Sequence, residues 1–274
     1  MKNFIFTILL LSTTLASYSS GSGETSLRTI GVSAQIDLFS KSVWHGWDLS
    51  NNKPAYIPYV AIDLFQTGFE LAYWASIPTD RSQKVNDITE FYLKYHETKL
   101  EGSAVQFNFH GFIDYIRATN NNEFPYTPYP KPGDPYGPWV QPVGMKQLWK
   151  FNLGFSLDKL IPVAGSFLVP AIDLFHIKPA GDAFFTDGSV WEFSLNYSHP
   201  ATEKLSYGLK FNAIYHDKVF DVNGWGAYVF SNNWRYSLNK HLAFQAGINY
   251  QISPNDAVNN ENEFWSQAGM AVSF

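Results

Sequence analysis

Hydrophobic and polar side chains alternate along most of the chain from residue 30 onwards. Within residues 89–95, Phe91 and Leu93 fall on one face of an extended chain, and Glu90 and Lys94 fall on the other. A period of two is typical of a β-strand whose two faces have different surroundings. The pattern recurs over stretches of about ten residues, the length of a strand that crosses a bilayer at a tilt. The sequence therefore predicts strands with one face towards lipid and one towards a wet interior.

The segments with this pattern are enough for a complete barrel. They number about twelve, an even count as in bacterial outer-membrane barrels. Pro58 and Pro170 interrupt the second and seventh segments, where a missing N–H weakens a strand ladder. The predicted strands cover residues 30–43, 55–65, 69–76, 89–95, 105–115, 146–157, 163–177, 190–198, 205–215, 224–238, 242–252 and 264–274. The predicted fold class is all-β, a closed antiparallel up-and-down transmembrane β-barrel of about 12 strands.

The connections between these segments alternate between short and long. Short ones cover residues 66–68, 99–102, 158–161, 200–204 and 239–240, and long ones cover 44–54, 77–87, 118–144, 178–189, 217–223 and 253–263. Outer-membrane barrels have short periplasmic turns and longer extracellular loops, so this order supports the barrel. The loop at 118–144 is rich in proline and aromatic residues. It is interpreted as a constriction over the mouth, a recognition surface or a stiff cap.

Both ends of the chain carry signals for export and assembly. Lys2, the apolar stretch 4–15 and the small residues after it match a secretory signal, so residues 1–16 are predicted to be removed and 17–29 to be a short N-terminal segment. The barrel then occupies residues 30–274. Its last strand ends in Phe274, resembles the signal read by the barrel-assembly machinery, and should pair with the first strand to close the sheet. The predicted location is the outer membrane of a Gram-negative bacterium.

Composition narrows the classes further. Charged residues are 16% and aromatic residues 18% of the 274 residues, there is no cysteine, and the net charge is -5. These values exclude a disulfide scaffold and a basic nucleic-acid-binding surface. Aromatic residues near strand ends are interpreted as membrane-interface girdles. Those residues are Trp44, Trp47, Tyr56, Tyr59, Trp74, Trp191, Tyr215 and Trp225.

The predicted inner face carries polar and charged side chains, which we interpret as channel-lining. They are Glu90, Lys94, His96, Asn108, His110, Asp114, Lys150, Asn152, Glu192, Lys210, Asn212 and His216. The tetrapeptide Ile-Asp-Leu-Phe occurs three times and places Asp37, Asp63 and Asp173 on the same predicted face. Ionised groups in a narrow lumen need partners or water, so internal pairing is favoured.

No feature of the sequence indicates a catalytic site. The histidines have no metal-ligand spacing, and no G-x-S-x-G, Walker or H-E-x-x-H motif occurs. We therefore predict no enzyme, no metal site and no cofactor. The expected partners are outer-membrane lipid, the assembly machinery and small polar solutes, without nucleic acid. The predicted function is a porin for passive passage of such solutes. The alternatives are a non-conducting barrel that acts as a surface receptor or structural protein through its loops, and a lipid-modifying enzyme.

One stretch of the sequence also resembles a known family. The segment Ser42-Val-Trp-His-Gly-Trp-Asp48, followed by 58–60 and by the strand from Gly68 to Ser76, is similar to the opening of the TorF-type porin family. These are outer-membrane barrels of poorly defined function. Gly46, Trp74, Ser76 and Glu90 fit its pattern, whereas His45 stands where the family has arginine. The resemblance covers about the first third of the mature chain and implies a barrel and a channel.

Overall fold

The computed structural model describes residues 30–50, 52–79, 87–100, 103, 105–119, 147–180, 187–259 and 261–274. The predicted signal peptide, the 17–29 segment and residues 120–144 of the proline-rich loop lie outside this part of the chain. Residues 118 and 119, which were expected to begin that loop, end a strand instead.

Fifteen strands occur in the described residues. They are β1 (Gly31–Phe39), β2 (Val43–Trp44), β3 (Trp47–Asp48), β4 (Ala55–Asp63), β5 (Phe69–Pro78), β6 (Asp87–Lys99), β7 (Gln106–Thr119), β8 (Gln147–Asp158), β9 (Ile161–Val163), β10 (Ser166–Pro179), β11 (Gly188–Pro200), β12 (Leu205–Val219), β13 (Val222–Ser237), β14 (Leu242–Ile252) and β15 (Glu263–Ser273). Twelve of them form the barrel wall, β9 pairs with the start of β10, and β2 pairs only with β3.

The sheet closes on itself as predicted. β1 lies antiparallel between β15 and β4, and β10 lies between β8 and β11, so every wall strand has two hydrogen-bonded neighbours. Two backbone hydrogen bonds join Val32 to Phe274 at the seam. Closure leaves no unpaired strand edge, which a bilayer interior would not tolerate. The predicted fold class, a twelve-stranded antiparallel barrel, is confirmed.

The connections alternate as expected, with one exception. Residues 217–223 were expected to be a long loop, but β12 runs to Val219 and β13 starts at Val222. Phe220 and Asp221 make the turn with φ angles of 50° and 60°. The prediction was wrong because a tight turn between two long strands needs few residues and carries no glycine or proline at its centre here. Pro58 and Pro170 lie inside β4 and β10 without ending them.

The outer surface of the barrel is apolar. Phe91, Leu209 and Phe244 are exposed there, as the alternation predicts. Tyr215 and Trp225 contact each other edge to face at the long-loop end, and both belong to the predicted girdle. Within the part of the chain that the structure describes, no helix is long and apolar enough to span a membrane.

Candidate functional site in the barrel lumen

The first long connection folds into the barrel. We call Ser42–Ser50 the inner hairpin: it consists of β2, β3 and a two-residue turn. His45 and Gly46 form that turn with φ angles of 48° and 97°. Positive φ at both central residues is the pattern of a type I′ hairpin, in which glycine at the second position is favoured. The hairpin therefore has a local basis in the sequence.

The tip of the hairpin contacts β12 and β14 of the inner wall. The Trp47 ring stacks on His216 of β12, with centroids 4.4 Å apart and planes within 4° of parallel. The carbonyl of Gly46 accepts a hydrogen bond of 2.8 Å from Gln251 of β14. His216 Nε2 lies 3.0 Å from the carbonyl oxygen of His45. These contacts hold the hairpin against β12 and β14 on the inner side of the wall.

The base of the hairpin is held by a hydrogen-bonded aspartate. Asp48 accepts hydrogen bonds from the backbone N–H of Ser50 and Asn52 and from the Ser50 hydroxyl. Ser42 N–H donates to Ser50 Oγ, and the Ser76 hydroxyl of β5 donates to Ser42 Oγ over 2.9 Å. Because these groups are buried, each hydrogen bond offsets a desolvation cost. The hairpin is tied to the wall at its base as well as at its tip.

An apolar cluster surrounds the hairpin in the long-loop half of the barrel. Trp47 and Leu49 contribute from the hairpin. The wall and loops contribute Ile88, Ile116, Leu148, Ile177, Val190, Ile214, Val219, Phe220, Val222, Ala227 and Val258. Inward apolar residues differ from the uniformly polar lumen that the alternation suggests. Their burial against the hairpin is the main stabilisation of its position.

A buried charge cluster lies beside the hairpin. Lys150 of β8 contacts Glu90 of β6 at 3.1 Å and Asp114 of β7 at 3.0 Å. The same ammonium lies 5.3 Å from the centre of the Trp44 ring. The Tyr92 hydroxyl donates to Glu90. One lysine therefore lies between two buried carboxylates in this cluster.

A second ionisable pair joins the hairpin to the opposite wall. His45 Nδ1 lies 2.5 Å from Glu192 of β11, and Asn212 of β12 donates to the other Glu192 oxygen over 2.9 Å. The His45 ring also packs edge to face against Phe175 of β10 at 4.6 Å. His45 thus contacts both a charged and an apolar part of the wall.

Towards the short-turn end, the inner wall is more accessible and remains polar. Lys94 contacts Glu70 at 3.2 Å and donates to the Tyr59 hydroxyl, which donates to Glu70 over 2.8 Å. The Lys94 and Glu70 side chains are 28% and 26% exposed, compared with 4% and 2% for Lys150 and Glu90. Water therefore reaches the lower lumen more readily than the region beside the hairpin.

Two of the three repeated aspartates face the lumen with amide or imidazole partners. Asp37 accepts hydrogen bonds from Gln35 and, over 2.7 Å, from Gln245. Asp173 lies 2.6 Å from His110 Nε2 and accepts a hydrogen bond of 3.1 Å from the Asn152 amide. The aspartate of the remaining repeat differs. Asp63 caps the β4–β5 turn by accepting a hydrogen bond from the backbone N–H of Gln66. The predicted internal pairing holds, although the partners of Asp37 and Asp173 carry no fixed charge.

The structure brings the predicted lining residues together in three groups. The first contains Glu90, Asp114 and Lys150, the second His110 and Asn152, and the third Glu192, Asn212 and His216. The remaining four lie nearer the short-turn half: Lys94 pairs with Glu70, Asn108 hydrogen-bonds to Thr98 and Ser156, and His96 and Lys210 are exposed.

Four of the predicted girdle residues are on the inside, so that part of the girdle prediction was wrong. Trp44 and Trp47 belong to the inner hairpin, Trp74 packs against the internal apolar cluster, and Tyr59 bonds to Glu70. An aromatic residue suits either a lipid headgroup or a packed interior, so composition alone did not separate the two. The residues that sequence reasoning missed are those of the hairpin, and the signal available was Trp-His-Gly-Trp, a type I′ turn sequence.

Outside the lumen, one serine and one histidine meet on the lipid-facing surface. His176 Nδ1 of β10 lies 3.2 Å from Ser189 Oγ of β11, and its Nε2 lies 3.7 Å from Asp187. His176 and Ser189 are directly opposite in the β10–β11 ladder, a position where such contacts are common. Among the described residues, no cluster of three or more metal-ligating side chains occurs.

This combination defines a class: a closed antiparallel barrel with an apolar exterior and a polar, partly filled interior is an outer-membrane-type β-barrel. No protein-family model matches the chain, and no curated protein matches its sequence. Among solved structures, the chain is similar to the KdgM porin with a TM-score of 0.51 and 10% identity, covering 89% of this chain and 99% of that one. It is similar to the NanC porin with a TM-score of 0.53 and 10% identity, covering 87% and 98%. These similarities concern the fold.

Proposed function

We propose that this protein is an outer-membrane channel for the passive passage of small polar solutes, narrowed in its long-loop half by the inner hairpin. The twelve polar side chains predicted from the sequence to line the channel, from Glu90 to His216, are proposed as its lining. The protein is proposed to reside in the outer membrane of a Gram-negative bacterium. Its likeness to the TorF-type porins at 42–48 supports membership of that family, with His45 in place of the usual arginine.

The observation that carries this proposal is a set of buried polar atoms beside the hairpin. Asn152 Oδ1, Asn212 Oδ1 and Gln251 Oε1 have no hydrogen-bond partner among the described residues. The same is true of His45 Nε2 and His216 Nδ1. Buried polar atoms are rarely left unsatisfied, and water is the usual partner where protein groups are absent. These atoms give the interior beside the hairpin unused hydrogen-bonding capacity, which supports a passage for polar solutes.

A non-conducting barrel is the second candidate. The apolar cluster around Trp47 and Leu49 favours it, because a packed interior can stop flow. In that case the loops would carry the function as a surface receptor or structural element.

The His176–Ser189 contact is the corresponding observation for a lipid-modifying enzyme. Both side chains there stand in a ladder position that needs no catalytic role.

Conductance in a planar bilayer distinguishes these candidates. We expect the purified, refolded protein to give discrete current steps in potassium chloride. Ser231 and Phe230 are adjacent on β13, and their side chains lie on opposite faces of the wall. Ser231→Trp therefore adds bulk inside the lumen, and Phe230→Trp adds it on the lipid side. Ser231→Trp should lower the step size, and Phe230→Trp should leave it unchanged. A folded protein that inserts without any current steps would refute the channel and support the second candidate.

A further inference from the structure

The charges inside the barrel do not balance. Six carboxylates face the lumen along the described wall strands, and three lysines and one arginine face them. The carboxylates are Asp37, Glu70, Glu90, Asp114, Asp173 and Glu192, and the cations are Lys94, Lys150, Lys210 and Arg235. Counted with ionised carboxylates and neutral histidines, this set carries an excess of two negative charges.

The excess has a definite position. Lys94 matches Glu70, and Lys150 matches only one of Glu90 and Asp114. Lys210 lies on β12, on the same face as Asn212, whose side-chain amide donates a hydrogen bond to Glu192. Asp37 and Asp173 have no lysine or arginine among their described contacts.

The described partners of Asp37 and Asp173 carry no fixed charge. Gln35 and Gln245 donate amide N–H groups to Asp37, Asn152 donates one to Asp173, and His110 Nε2 lies 2.6 Å from Asp173. Neutral donors stabilise a carboxylate through hydrogen bonds while leaving its field in the lumen. Fixed charges in a pore concentrate counter-ions and exclude ions of the same sign.

The two mouths carry charges of both signs. Near the long-loop mouth, Lys41 pairs with Glu263. Near the short-turn mouth, Asp63 and Asp158 accept hydrogen bonds within their own segments, and Lys159, Lys204 and Lys240 lie in the turns. The excess of carboxylates therefore belongs to the described inner wall and not to its mouths.

We infer that the lumen is selective for small cations over small anions and that Asp37 and Asp173 are the residues that set this preference. The inference rests on the proposed channel function. It also narrows that function, because cationic and neutral polar solutes would pass more readily than anionic ones. The preference follows from position and charge and needs no binding site for a particular solute.

The test is the reversal potential across a potassium chloride gradient at about pH 8, above the ordinary titration range of imidazole. We expect the wild-type barrel to pass potassium in preference to chloride. Asp37→Asn and Asp173→Asn should each lower the potassium-to-chloride permeability ratio by about twofold, because a full charge about 10 Å from an ion in water changes its partition by that order. The double variant should lower the ratio further.

Glu97→Gln is the matched control, since it removes a carboxylate from the outer side of β6, where Glu97 pairs with Lys99. This variant should keep the wild-type ratio. A chloride-preferring or unselective pore, or Asp37 and Asp173 variants with the wild-type ratio, would overturn the inference while leaving the channel intact. Absence of current from the wild type would instead be a failure of the proposed channel, and the selectivity would then be measured on a variant whose hairpin is replaced.

Discussion

Replacing the inner hairpin, Ser42–Ser50, by a glycine-serine segment of equal length is expected to raise the single-channel conductance severalfold. The hairpin places two tryptophan rings and its backbone inside the lumen, and Trp47 is only 2% exposed there. A flexible polar segment has no apolar side chains with which to occupy the same space. The wall itself does not depend on the hairpin for its ladder, because β2 and β3 pair only with each other.

A pair of single substitutions controls for general loss of packing. Trp47→Ala removes a ring from the lumen, and Trp225→Ala removes one from the lipid-facing surface, where Trp225 is 44% exposed. We expect Trp47→Ala to increase the current step and Trp225→Ala to leave it unchanged. If the hairpin replacement folds and conducts like the wild type, the hairpin is not the constriction.

Lys150→Met is expected to lower the free energy of unfolding by about 3–5 kcal/mol, the usual cost of breaking a buried ion pair by removing one partner. Lys150 is buried between Glu90 and Asp114, and neither carboxylate has another lysine or arginine among its described contacts. Methionine keeps much of the volume, so the loss reports the two buried carboxyl groups left without their cation. Urea unfolding of the barrel in lipid vesicles, followed by tryptophan fluorescence, measures it.

Two further variants separate charge from shape. Lys210→Met makes the same change at an exposed lumen position and should shift stability by no more than about 0.5 kcal/mol. Adding Glu90→Gln and Asp114→Asn to Lys150→Met removes the unpaired charges, so this triple variant should recover much of the lost stability. A Lys150→Met barrel as stable as the wild type would show that the three groups do not form a buried cluster.

The wall of the barrel could be predicted from the sequence because its determinant is local. Side chains alternate between lipid and interior along every wall strand, so segments such as 242–252 predict both a strand and its inward face. The pairing of the last strand, which ends near Phe274, with the first strand could also be predicted. An unpaired strand edge in hydrocarbon would leave backbone groups without hydrogen bonds.

The interior could be predicted only in part. Alternation tells which face of a strand Asp114 and Lys150 occupy, but not their height in the barrel. That height depends on the stagger between strands, which places the two residues directly opposite each other. Prediction of the carboxylate–lysine cluster therefore requires the strand register, whereas the polar character of its members can be taken from the sequence alone.

The inner hairpin shows a different limit. A loop that follows a strand can turn outwards or into the lumen, and Trp44 and Trp47 satisfy either environment. What decides is the fit to distant residues such as His216 and Gln251, which lie more than half the chain away in sequence. Local sequence indicates the type I′ turn at His45 and Gly46 but not its place inside the barrel.

The central claim is that the inner hairpin packs against the inner wall, and a double-mutant cycle between Trp47 and His216 tests it most directly. Trp47→Ala, His216→Ala and their combination are compared by the free energy of unfolding in lipid vesicles. If the two rings stack as described, the cycle should give a coupling energy of about 0.5–3 kcal/mol, as residues in contact do. The control cycle pairs Trp47→Ala with His241→Ala at the exposed short-turn end and should be additive. Additivity within about 0.5 kcal/mol for Trp47 and His216 would contradict the account.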